Sequence, residues 1–143
     1  MKNIIDRLFE LTEVSLQNDE FPVSAIIYDD NYNILGEGYN KRNKSNVTID
    51  HAEIIAICEA NKTAKTWRLD EYNMIVTLEP CDMCKNVIKE SRLKKVEYII
   101  PRFNYKKLSK KTNFEKIDFN DQKTIDKISR YRQEISAFFV DKR

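Results

Sequence analysis

The 143 residues hold one histidine, one tryptophan, two glycines and three cysteines. Three cysteines cannot all pair within one chain, and the second Cys-x-x-Cys that would close a four-cysteine zinc site is absent. Long apolar runs are missing too. Ile26–Tyr28 and Ile99–Ile100 are far too short to cross a bilayer. The first helix-like segment carries Asp6, Glu10 and Glu13, so it does not read as a signal peptide. There is no internal repeat and no low-complexity segment. What remains is the composition of a soluble globular protein, 41% hydrophobic and 34% charged. Its length suits one domain with a real core and is too short for two. The expectation is a cytoplasmic protein with free thiols and no membrane partner.

Charge is unevenly spread. Residues 1–84 carry 8 basic and 15 acidic side chains, whereas residues 85–111 carry 10 basic and 2 acidic. Either an anionic partner approaches this basic belt or the belt is a solvated lysine-rich face.

Apolar periodicity predicts an amphipathic helix over 2–18, through Ile4, Ile5, Leu8, Phe9, Leu11 and Leu16. VSAIIY (23–28) and ILGEGY (34–39) read as a hairpin around the turn DDNYN, and both glycines lie in its second strand. KRNKSNVTI reads as polar loop. HAEIIAICEAN reads as a helix on the sheet, with Ile54, Ile55, Ile57 and Cys58 inward. MIVTL (74–78) and VEYII (96–100) read as buried strands, with a helix through KNVIKESRL between them. FEKIDF (114–119) is a short last strand, and a C-terminal helix starts at Asp121. This order implies a three-layer α/β/α fold, a mixed sheet with helices on both faces.

Within TLEPCDMC, Cys81 and Cys84 stand three apart at a predicted helix start, where Pro80 suits the first turn. The positive end of the helix dipole favours thiolate there. The pair alone is ambiguous between a redox site and a metal site. A metal needs another ligand, and the one histidine, His51, opens the preceding helix. Cys58 lies two turns on, about 10 Å along the axis, too far to share a first shell with His51, and reads as a core cysteine. One histidine and two cysteines leave a fourth position open, the catalytic form of a zinc site. Glu53 stands two residues after His51. It is either a proton shuttle beside zinc-activated water or the far end of a capping box begun by Asp50.

His-Ala-Glu followed by Pro-Cys-Asp-Met-Cys matches H-x-E…P-C-x-x-C, the signature of the zinc nucleobase deaminases. Beyond that signature the chain resembles the bacterial tRNA adenosine deaminases from about residue 2 to residue 100. EFPVSAII, GYN, TWRL and VTLEPCDMC carry the likeness, and RYRQEISAFFVDKR resembles that family's closing helix. The resemblance implies a cytidine deaminase-like fold with a five-stranded mixed sheet, and residues 1–143 as a single zinc-dependent deaminase domain. It implies Zn2+ held by His51, Cys81 and Cys84, with Glu53 as catalytic proton shuttle. Asn40 then hydrogen-bonds the base, Val23 lines its pocket, and Ala52 and Pro80 complete the substrate site. The partner implied is the anticodon loop of tRNA, met by a homodimer.

Three positions depart from the family pattern. Ser24 replaces a glycine, Asp50 stands where a small residue is usual, and PRFNYKKLSKKTNF replaces a glycine-rich loop that helps to hold the nucleic acid. Phe103 and Tyr105 in that stretch either stack unpaired bases or cover the sheet edge. Two other readings stay open: a deaminase of a free base or nucleoside (guanine, cytosine or cytidine), and a non-catalytic partner subunit of a deaminase.

Overall fold

The computed structural model describes residues 1–102 and 113–141. The expectations for Phe103 and Tyr105 lie outside these residues. The chain runs α1 (Lys2–Gln17), β1 (Ser24–Tyr28), β2 (Ile34–Tyr39), α2 (Arg42–Ser45) and α3 (Ala52–Ala64). It continues through β3 (Asn73–Leu78), α4 (Asp82–Ser91), β4 (Lys95–Ile100), β5 (Asn113–Lys116) and α5 (Gln122–Asp141). The strands form one five-stranded sheet in the order β2-β1-β3-β4-β5. β1 is antiparallel to both β2 and β3, while β3/β4 and β4/β5 are parallel. The expected mixed sheet is what forms. The two central apolar runs are buried on both faces, and Ile26, Ile27, Met74, Ile75 and Val76 are fully enclosed.

Helices α1 and α5 cover one face. The Ser24 hydroxyl donates to the Leu8 carbonyl at 2.6 Å, and the buried Tyr131 hydroxyl lies 3.0 Å from Thr77 Oγ1. Helices α3 and α4 cover the other. Here both glycines matter. A Cβ on Gly36 would sit 2.5 Å from the Ala56 carbonyl oxygen, and one on Gly38 would sit 2.4 Å from that of Ala52. Only a bare backbone admits a helix this close. Ala52, Ala56 and Ala60 recur at four-residue spacing, and all three are fully buried. They form the seam that fixes α3 along β2.

That seam corrects one expectation. Cys58 is exposed, not a core residue. The periodic apolar pattern suggested otherwise, but the face of α3 that meets the sheet is the alanine face, and Cys58 points away from it.

Two further differences bear on the site. The polar loop after β2 contains a helical turn, α2. The Glu20 carboxylate, fully buried, accepts the amides of Asn43 at 3.1 Å and Lys44 at 2.8 Å. A carboxylate twenty-odd residues upstream creates this turn, so the local sequence does not announce it. In addition, α4 begins at Asp82 with Cys81 as its N-cap, so Pro80 stands before the cap and not in the first turn. Among the described residues, no helix is long and apolar enough to cross a membrane.

Candidate active site

β2 and β3 both run antiparallel to β1, so their C-terminal ends point to the same edge of the sheet. The chain leaves β2 through Asn40 and enters α3 at His51, and it leaves β3 through Glu79-Pro80 and enters α4 at Cys81. Both turning residues are N-caps in extended backbone, His51 at φ −81°, ψ 152° and Cys81 at φ −70°, ψ 172°. The first turns of two helices, with their unpaired amides, therefore meet at one point.

There the three expected ligands come together. His51 Nδ1 lies 3.7 Å from Cys81 Sγ and 3.5 Å from Cys84 Sγ. All three donor atoms lie within 4.8 Å of one another. Ordinary zinc–sulfur and zinc–nitrogen bonds in a tetrahedron put such donors about 3.6–3.8 Å apart. One imidazole nitrogen and two sulfurs at these distances fit zinc, and among the described residues the set has three members, the number a catalytic zinc site uses.

Glu53 is buried, 3% exposed, with Oε2 3.4 Å from Cys84 Sγ. It does not close a capping box. No side chain caps α3, and the Asp50 amide donates instead to the Val47 carbonyl at 3.1 Å. The carboxylate accepts its own residue's amide in the first turn of α3 and lies against the Cys84 sulfur. Burial pushes its pKa up. Cys81 is held down to about 3, first by the Cys84 thiol and then by the His51 ring, and Cys84 is pushed up, first by its bond to Cys81 and then by burial. The His51 ring is pushed up by its hydrogen bond to Cys81.

Above this group lies a cleft of about 410 Å³. Val23, Asn40, Ala52 and Glu53 line it beside His51 and Cys81. Pro80 is buried and does not form its wall. The Asn40 amide donates to the Phe21 carbonyl at 3.3 Å, which fixes its plane. Ser24 also stays out of the cleft, because its hydroxyl is spent on α1. Five residues of the wall were not foreseen: Phe21, Arg42, Asn43, Arg102 and Phe138. The Phe21 and Phe138 rings meet edge to face at 5.4 Å, so α5 reaches the cleft from the opposite face. Only EFPV and the closing Phe-Phe hinted at these contacts.

The fold and the donor set together define a class: an α/β/α domain with a three-donor group at the starts of two helices that could hold a metal ion. The sequence profile of the cytidine and deoxycytidylate deaminase zinc-binding region matches residues 2–100, and the chain belongs to that family. Within the family, it is similar to the tRNA-specific adenosine deaminase of Buchnera aphidicola, 37% identical over 133 residues that cover 89% of this chain and 85% of that one. The corresponding Rickettsia bellii protein is 42% identical over 87 residues, 60% of each chain. The Streptococcus pyogenes M18 protein is 44% identical over 86 residues, 60% of this chain and 54% of that one. Against these last two, the match spans little more than half of the relatives' length. Among solved structures, one from work on A-to-I editing by tRNA:A34 deaminases at the wobble position superposes with a TM-score of 0.69 at 25% identity, covering 73% and 75% of the two chains. The guanine deaminase of Nitrosomonas europaea shares the fold, with a TM-score of 0.77 at 14% identity over 92% and 82%.

Proposed function

We propose that the chain is a zinc-dependent hydrolytic deaminase that converts the wobble adenosine of tRNA to inosine. The observation that carries this reading is the meeting of His51, Cys81 and Cys84 beside a buried Glu53 that lines an open cleft. The likeness to a tRNA-specific adenosine deaminase over most of both chains supports the choice of substrate.

Zinc bound by the three residues supplies the Lewis acidity that activates water at neutral pH. Every proton transfer falls to the Glu53 carboxylate. It takes a proton from the attacking water, delivers it to ring N1, and later protonates the departing exocyclic amine. A C6–O bond forms, the C6–N bond breaks, and ammonia leaves. Burial of Glu53 against Cys84 shields that proton from bulk water between steps. Val23 and Ala52 flank the base, and Asn40 offers its fixed amide to the purine edge. Pro80 contributes from behind, by setting the turn into Cys81. A homodimer that meets the anticodon loop in the cytoplasm belongs to the same proposal, and sedimentation of the purified protein tests its oligomeric part.

The test is incubation with an anticodon stem-loop carrying adenosine at the wobble position, in parallel with free adenosine, cytidine and guanine, with zinc measured on the same sample. Inosine in the stem-loop is the expected product. Glu53→Ala is expected to keep zinc and lose at least about 10²-fold in rate, whereas Cys81→Ala loses the metal. Turnover of a free base or nucleoside with no inosine in RNA would overturn the choice of substrate.

A further inference from the structure

His51 has a second ring nitrogen, and holding a metal through Nδ1 gives that nitrogen no task. Nε2 lies 3.4 Å from Nη1 of Arg42, at the rim of the cleft. A guanidinium has donors only. The contact is therefore a hydrogen bond only in the tautomer that keeps the ring proton on Nδ1 and leaves Nε2 as acceptor. Nδ1, however, is the atom aimed at Cys81 and Cys84. An ion on Nδ1 takes its lone pair and places the one proton of the neutral ring on Nε2. Arg42 and His51 then present two donors toward the same space, and neither can satisfy the other. Both need an oxygen acceptor, and the charge of the guanidinium selects an anion.

The backbone beneath Arg42 is pinned. Its amide lies 3.4 Å from Asn40 Oδ1, the Lys41 amide donates to the Asp50 carbonyl at 3.0 Å, and buried Glu20 holds the next two amides. The side chain is thus carried on a fixed support, with Asn43 beside it on the same wall. Among the described residues, no carboxylate pairs with Arg42 within ion-pair distance.

We propose that Arg42 and the Nε2–H of His51 form an anion clamp, which metal binding arms and which grips a phosphate of the substrate next to the reacting base. That this phosphate belongs to an RNA backbone rests on the function proposed above; the clamp itself requires only a phosphate-bearing substrate.

The experiment measures equilibrium binding to zinc-loaded protein by fluorescence anisotropy. The ligands are the anticodon stem-loop and versions in which each phosphate flanking the target adenosine is replaced singly by neutral methylphosphonate. One such replacement is expected to weaken wild-type binding about tenfold and to have no further effect in Arg42→Ala, with Arg42→Lys in between. Because the chain has one histidine, its long-range ¹H–¹⁵N spectrum reports the clamp without ambiguity. The Nε2–H signal is expected to move with the intact stem-loop and to stay still with the sensitive methylphosphonate version. A loss in Arg42→Ala that is the same for every oligonucleotide, with an unmoved Nε2–H signal, overturns the clamp. If the stem-loop is not bound while nucleosides are turned over, the RNA reading fails, and nucleoside monophosphates are then compared with nucleosides. A preference of about tenfold or more for the monophosphate, lost in Arg42→Ala, sustains the clamp; equal KM values overturn it.

Discussion

The two faces of the sheet are held by different physics. On the α3/α4 face, which delivers His51, Cys81 and Cys84, the three side chains that could hold a metal, backbone lies against backbone at Gly36 and Gly38, and a buried ion pair joins α4 to the end of β3. On the α1/α5 face the contacts are longer side chains and hydroxyls: Ser24 with Thr12, Tyr131 with Pro22 and Thr77, Lys127 with Asp6. The first face has no room to adjust, and the second has several rotatable groups. Placement of the metal site is therefore expected to depend on the first face and overall stability on both.

The largest expected effect comes from volume at the seam. In Gly38→Val the new Cβ starts 2.4 Å from the Ala52 carbonyl, which is backbone and cannot swing aside. Helix α3 must shift, and His51 and Glu53 shift with its first turn. A cost of about 4–5 kcal/mol is expected, together with loss of zinc, read by thermal unfolding and metal content. A Gly38→Val protein that keeps both zinc and stability would show that this face is as adaptable as the other.

Charge on the same face comes next. Lys85 Nζ lies 2.6 Å from Glu79 Oε2, with the two side chains 6% and 10% exposed. Glu79 also accepts the Arg102 amide at 3.2 Å, so one carboxylate ties α4 to the end of β4 beside the cleft. Lys85→Met leaves that carboxylate buried without its cation and is expected to cost about 3 kcal/mol or more. Lys85→Met with Glu79→Gln is expected to recover much of this, because the uncompensated charge is gone. Urea midpoints of the two variants make the comparison.

Tyr131→Phe probes the other face at a comparable depth. It removes a hydroxyl that donates to the Pro22 carbonyl at 2.6 Å. About 1–2 kcal/mol is expected, with zinc content unchanged. Zinc loss in this variant would break the division of labour between the faces.

How much of this was readable beforehand follows the range of the interactions. The strands Ser24–Tyr28 and Asn73–Leu78 announce themselves, because β-branched runs bounded by turn residues carry their own signal. The meeting of His51, Glu53, Cys81 and Cys84 was readable because each pair sits within one helical turn, in the order of residue types that the proposed zinc chemistry would need. Cys58 misled because a free cysteine usually lies in the core, while the seam alanines, which look featureless in sequence, decide which side of α3 faces in. The α2 turn depends on Glu20, and the cleft wall depends on Phe138 meeting Phe21 across more than a hundred residues. Neither contact leaves a local pattern to read.

The smallest expected effect is a pH dependence, and it belongs to the α1/α5 face. Glu134 on α5 has its pKa raised to about 7, first by burial and then by a hydrogen bond with Glu13 on α1, against the attraction of Arg130. A carboxyl raised in the folded state favours folding while it is protonated. The contribution is complete below the ordinary carboxyl pKa of 4.5 and is lost as pH rises through about 7. The cleft between these helices, which Lys127 also lines, is open to solvent, so screening holds the effect below about 1 kcal/mol. Unfolding midpoints between pH 5 and 8 are expected to fall slightly more in the wild type than in Glu134→Gln, whose amide bonds to Glu13 at every pH. Parallel curves would mean that the seam between α1 and α5 rests on its neutral contacts alone, which would bring the two faces closer in kind than their chemistry suggests.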